Sequence, residues 1–171
     1  MLGTLPAKQV KLAVKGNWDG YMEWIPDSAW RDGYAGAGFR FLQNEAFSLD
    51  NITFYGTADF KMGKPDYRHD PARYNCLISH NPDSIPLLQQ NDPPAELALC
   101  GHTHGGQCRI PGYGAVLTSS IYGKRFERGS YANRENGSRV LVSAGIGTTW
   151  IPLRLFCPPE VYRIEFTGGR S

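Results

Sequence analysis

Three short phrases gather most of the histidines in this sequence: GNWD at 16–19, SHNPD at 79–83 and CGHTHGG at 100–106, the last two holding three of the four (His80, His102 and His104). Neutral imidazole is the commonest protein ligand for zinc, iron and similar ions. Asn17 adds a side-chain carbonyl oxygen, suited to a hard or borderline cation. His102 and His104 are two residues apart, a spacing that points both to one side of an extended backbone. Gly101, Gly105 and Gly106 let the chain turn sharply and approach an ion or its substrate closely. Taken singly, each feature has a plainer explanation: His80 as a polar residue satisfied at a strand end, the His-x-His pair as structural. Together, on three separate loops, they point to a bound cation.

These loops need elements to position them. Val10–Val14 alternates apolar and polar residues and reads as a strand leading into GNWD. A helix is expected from Ser28 with Asp27 as its cap, stopped by the glycines at 33–38. FRFLQNEAFSL and NITFYGTAD read as hairpin partners, and KMGKPDYRHDPAR as a loop. YNCLIS (74–79) and AELALC (95–100) are apolar runs that lead directly to His80 and His102. Asp83 opens a short helix through SIPLLQQ. RVLVSAG (139–145) is a strand, GTTWIPLRLFCPPE a loop, and VYRIEFT a final strand. The order implies an α/β fold with a mixed sheet or two packed sheets. Its strands deliver the polar phrases to one sheet edge, where open α/β folds place their sites.

Bulk properties exclude more than they assign. A chain of 171 residues is read as one domain, 1–171, and can bury a real core. A net charge of +2 is too small to argue for nucleic acid or an acidic membrane surface. No run of 18 apolar residues and no signal-peptide pattern occurs. The 20 glycines and 12 prolines imply many turns. Cys76, Cys100, Cys108 and Cys157 have no metal-binding spacing, and Cys76 and Cys100 read as buried thiols.

GNWD, SHNPD and GHTHGGQ, in this order and spacing, closely resemble the calcineurin-like metallophosphoesterase family, in its bacterial branch. The ending SAGIGTTWIPLRLFCPPEVYRIEF is similar to the C-terminal strands of that branch, so the resemblance runs from about Lys11 to Phe166. It implies a β-sandwich of mixed sheets flanked by helices, and a hydrolase of phosphomonoesters, phosphodiesters or nucleotide-linked pyrophosphates. The implied cofactor is a pair of divalent ions (Mn, Zn or Fe) that share a carboxylate and activate a water for attack on phosphorus. By motif, Asn17, His80 and His102 would bind one ion and His104 the other. The implied partners are phosphorylated small molecules or nucleotide-linked lipids.

The sequence departs from this pattern twice. The family's Asp-x-His and Gly-Asp motifs should precede GNWD, yet residues 1–16 contain no Asp, Glu or His. The expectation is an N-terminally truncated domain, an incomplete sandwich without its first strands. Trp18 stands where the family carries a histidine that contacts phosphate and assists the leaving group. Indole N–H donates a hydrogen bond but cannot act as an acid at neutral pH. Asp19 then becomes a turn or cap residue, and no catalytic side chain can be named.

The remaining ligands are all neutral. Two like unit charges ~4 Å apart repel by about 4 kcal/mol at an effective dielectric of 20, and two dications by four times that. One weakly held ion, or none, is therefore expected. Three hypotheses follow: a weakly active or inactive phosphoesterase, a non-catalytic phosphoesterase-like binding module, or a subunit completed by a second copy or a complementing chain. Uncovered sheet edges favour assembly. The cell compartment is left open.

Overall fold

The structure is a computed structural model and describes residues 2–22, 24–88, 90, 93–133 and 137–167. Its centre is a six-stranded mixed sheet. In chain order the elements are β1 (Leu12–Ala13), α1 (Asn17–Gly20), α2 (Asp27–Gly36), β2 (Arg40–Phe41), β3 (Glu45–Leu49), β4 (Ile52–Gly56) and β5 (Tyr74–Ser79). Then come α3 (Ile85–Leu88), β6 (Leu97–Cys100), β7 (Arg109–Ile110), β8 (Gly114–Ala115), β9 (Gly129–Ala132) and β10 (Arg139–Val142). The central sheet has the order β3-β4-β5-β6-β10-β9. Its inner pairs β4/β5, β5/β6 and β6/β10 are parallel, and its outer pairs are antiparallel. Two small sheets, β1/β2 and β7/β8, complete the strands described.

Sequence chemistry explains this arrangement. β3 alternates exposed Ala46 and Ser48 with half-buried Glu45, Phe47 and Leu49, and a two-residue turn at Asp50 and Asn51 joins it to β4. Asp50 takes a left-handed φ of 50°, which Asp tolerates better than most residues. β5 lies between two parallel neighbours, so its run of Asn75, Cys76 and Leu77 is buried on both faces. The register places Tyr55, Leu77, Ala98 and Val140 in one row across four strands. That row, with Cys100, Val142, Ile85 and Phe126, forms the core.

The same register sets the site. Ser79 pairs with Cys100, and the ladder continues past the strand ends where Gly101 N–H donates to His80 O at 2.9 Å. His80 and His102 therefore emerge side by side at the C-terminal edge. Asn17 arrives from another layer. A Cβ on Gly56 would fall 2.3 Å from Leu42 Cβ and 2.9 Å from Val14 Cγ1, so only glycine lets the β1/β2 layer seat on β4. This seating brings the chain after Val14, and hence α1, to the same edge.

Several expectations need correction. The first strand is two residues long rather than five. Pro26, not Asp27, is the N-cap of α2; the Asp27 carboxylate instead accepts from Lys15 Nζ at 3.0 Å and Gln43 Nε2 at 2.8 Å. The short helix after SHNPD is a 3-10 turn at Pro82–Ser84 followed by α3, and Gln89 lies outside the described residues. VYRIEFT forms no strand: 161–167 joins no sheet ladder, and Val161 is 81% exposed. Alternation alone makes no strand, because a strand needs a partner edge. Among the described residues no helix is long and apolar enough to cross a membrane.

Candidate metal centre

SHNPD is held by its own side chains. Ser79 Oγ meets Thr57 Oγ1 at 3.0 Å and Ser84 Oγ at 2.8 Å, closing the strand end. Asn81 Oδ1 accepts from Asp83 N–H at 2.9 Å, an N-cap for the turn that follows. The buried Asp83 carboxylate accepts from Ser120 Oγ and from Ile121 N–H, tying a distant loop to the motif. His80 is thus presented by a segment pinned through Ser79, Asn81 Oδ1 and Asp83, although Asn81 Nδ2 is buried without a hydrogen-bond partner.

GNWD forms α1, a single turn. Asp19 Oδ2 accepts from Gly16 N–H at 2.9 Å, the capping role expected of it. Asn17 at the start of this turn is only 7% exposed and faces inward. A Cβ on Gly16 would lie 3.0–3.2 Å from three atoms of the His80 ring, so Gly16 gives that ring its seat.

Asn17, His80 and His102 converge. Asn17 Oδ1 stands 2.9 Å from His80 Nε2 and 3.0 Å from His102 Nδ1, and the two nitrogens are 3.2 Å apart. The oxygen can only accept, so two ring protons aimed at it would also face each other. A cation resolves this, because it takes a lone pair from each atom at once. Ligands about 2.1 Å from a cation and at right angles to one another are separated by about 3.0 Å, close to the edges seen here. The donor set therefore fits one divalent ion. Among the described residues no group of three or more His, Cys, Asp or Glu side chains forms such a cluster; here the third donor is an amide.

Burial sets the charge state of the pair. It lowers the pKa of His80, an effect partly opposed by the Asp59 and Asp19 carboxylates and reinforced by His104 and Lys61. His102 is pushed down to about 4 by burial, with His80 and Lys61 adding to the shift. Both rings are thereby kept neutral, the form that binds metal. His102 Nε2 is buried without a hydrogen bond, and the nearby Ser119 carbonyl favours a proton on this ring.

His104 follows His102 on the same turn, and its charge bears on His80. Its Nδ1 lies 3.3 Å from Gly147 O, and burial lowers its pKa while that carbonyl opposes the shift. The backbone at His102 and His104 is not the extended one that the two-residue spacing assumes: their φ angles are 67° and 51°. Gly106, at φ 78°, carries the turn onward, where a Cβ would fall 2.4 Å from Ala115 Cβ.

Two residues around the site carry no motif. Arg154 donates to the carbonyls of Ala144 at 2.6 Å, Cys157 at 3.2 Å and His104 at 3.3 Å, and so fixes the 144–147 loop against the histidine turn. The Asp59 carboxylate is buried beside the site. The only signal for either was position: Arg154 follows the strand that ends the parallel set, and Asp59 follows a strand parallel to those bearing His80 and His102. At the rim Trp18 packs edge-on against Trp150 at 5.4 Å and Tyr21 at 5.5 Å. Gln107 holds this rim by pairing its amide with both backbone groups of Thr149.

Comparisons with known proteins identify relatives of the chain. The chain is 34% identical to the uncharacterized metallophosphoesterase YkuE of Bacillus subtilis, over 94% of this chain and 57% of that protein. It is 36% identical to phosphodiesterase YaeI of Escherichia coli, over 75% of this chain and 48% of that protein. With UDP-2,3-diacylglucosamine pyrophosphatase LpxG of Chlamydia trachomatis it shares 31% over 72% of this chain and 40% of that protein. The chain thus spans about half the length of the curated relatives it matches. No family model matches it, and no solved structure matches it significantly. On the strength of these relatives, covering most of its length, the chain belongs to the metallophosphoesterase family.

Proposed function

We propose that this chain holds one divalent cation (Mn, Zn or Fe) through Asn17, His80 and His102, and uses it toward phosphoester hydrolysis. The mutual approach of those three donor atoms carries the reading. A cation bound there supplies Lewis acidity toward a phosphoryl oxygen and lowers the pKa of water beside it. His80 and His102 stay uncharged at neutral pH and so do not repel it. Trp18 presents an indole N–H that donates one hydrogen bond to a phosphoryl oxygen and delivers no proton to a leaving group. Turnover by these 171 residues is therefore slow. His104, outside the triangle, is the donor available to a second ion, which the neutral primary set disfavours.

Trp18, Tyr21 and Trp150 line the approach to the site, with Trp150 88% exposed. They suit a substrate with a planar or apolar group next to its phosphate, such as a nucleotide-linked lipid. The test is hydrolysis of bis(p-nitrophenyl) phosphate with added Mn²⁺. Slow, Mn²⁺-dependent turnover that His80→Ala abolishes supports the reading. Equal turnover in His80→Ala assigns the activity to a contaminant.

One observation favours a second reading, a subunit completed by another chain or a second copy. Among the described residues segment 158–167 joins no sheet, yet Val161, Tyr162 and Ile164 line a groove of about 350 Å³ with Leu99, Leu141 and Ile146. Light scattering on the purified chain distinguishes monomer from assembly.

A further inference from the structure

We propose that Asp59 is the anionic partner of the Asn17, His80 and His102 donor set, offsetting the charge of a bound cation from beyond direct contact. This inference rests on the cation reading above.

Its first support is topological. β4 is parallel to β5, Gly56 pairs with Ile78, and Thr57 N–H continues the ladder to Ile78 O at 3.0 Å. Asp59 follows two residues later, at the edge where β5 delivers His80 and β6 delivers His102. Three parallel strands thus bring three chemically active side chains to one level.

The second support is an unexplained oxygen. Asp59 is only 4% exposed. Its Oδ1 accepts from the N–H groups of Lys61 and Met62, both at 2.9 Å, and closes a tight turn. Its Oδ2 is buried with no hydrogen-bond partner. A buried carboxylate oxygen in that state is costly unless a positive charge or a donor faces it. The turn is clamped to the site from the other side: a Cβ on Gly20 would fall 2.3 Å from Met62 Cβ, so Met62 packs on α1 just after Asn17.

The third support is electrostatic. The Asp59 charge bears on both His80 and His102, while no ion pair joins it to either ring among the described residues. Asp19 bears on His80 as well, but its carboxylate already caps Gly16. Lys61, whose ammonium reaches Ser119 O at 3.3 Å, opposes Asp59 at both histidines. Asp59 is thus a buried carboxylate, with an unused oxygen, acting on both imidazole donors of a neutral set. A charge-balancing role follows; removal of outer-shell support of a metal site costs about 10–100-fold in metal affinity.

The experiment is calorimetric titration of Mn²⁺ into the wild-type chain, Asp59→Asn and Lys61→Ala, with thermal melts of each metal-free protein. Asparagine keeps the oxygen that accepts from Lys61 and Met62 and removes only the charge. The expected result is a 10–100-fold weaker Kd in Asp59→Asn with an unchanged metal-free melt. Lys61→Ala, which alters an exposed side chain and leaves the turn intact, should tighten binding a few-fold. Wild-type affinity in both variants overturns this inference alone. Absence of Mn²⁺ uptake by the wild type overturns it together with the donor-set reading.

Discussion

The imidazole of His80 rests against the backbone of Gly16, where a Cβ would come within 3.0–3.2 Å of three ring atoms. The contact links two of the three phrases through space, since Gly16 also begins the turn that carries Asn17. It makes a glycine part of the donor geometry although it donates nothing.

Gly16→Ala should therefore tilt the His80 ring by a few tenths of an ångström without disturbing the core. The expected result is roughly 10-fold weaker Mn²⁺ binding, with the metal-free melting temperature nearly unchanged. Calorimetry and a thermal melt check both parts.

The depressed histidines set a pH dependence. The ordinary value for His102 is 6.5 and its folded value is about 4. A lowered pKa means that the folded state binds protons less readily than the unfolded chain. This contribution to stability is complete above pH 6.5, falls as the pH drops from 6.5 toward 4, and is exhausted below. Thermal melts of the metal-free chain should fall across that window, and His102→Gln should flatten the fall. Mn²⁺ affinity should stay level from pH 8 to 6.5, since no ring proton need be displaced there. A loss of affinity beginning above pH 6.5 would count against the buried donor set.

Trp18 follows Asn17 directly and packs at the rim of the site. Trp18→His places a titratable ring beside Asn17, where it can stabilise charge on phosphate and assist the leaving group. General acid catalysis contributes about 10²–10⁴-fold, so even a poorly aligned histidine should raise kcat about 10-fold on a phosphodiester. The change belongs in kcat rather than KM. An unchanged kcat means that the donor set limits the rate.

Thiol chemistry tests the packing of the sheet independently. Burial pushes the Cys76 thiol up to about 12 and raises that of Cys100 as well. Cys157 is also buried, whereas Cys108 is partly exposed. A chromogenic disulfide reagent should therefore titrate one thiol rapidly in the native chain, at Cys108, and four after denaturation. Rapid reaction of Cys76 or Cys100 contradicts the central placement of β5 and β6.

Much of this was legible in short phrases, because strand-to-loop junctions are local. YNCLIS and AELALC end where the histidines begin, and parallel pairing brings the two ends together. NITFYGTAD pairs with the preceding strand through a two-residue turn that Asp50 makes favourable. Other features depend on contacts remote in sequence. The backbone at residues 102 and 104 is left-handed, so the two-residue alternation does not describe the histidine turn. VYRIEFT alternates like a strand but has no partner edge in the described sheets. Asp59 stands alone in its segment and acquires meaning only from the register of β4 on β5.

The most direct measurement is metal stoichiometry by plasma mass spectrometry, after dialysis of the purified chain against Mn²⁺ or Zn²⁺. The expected result is one ion per chain, lost in both His80→Ala and His102→Ala and retained in His104→Ala. No ion in the wild type, or one ion that survives both substitutions, would contradict the assignment of Asn17, His80 and His102 as its donors.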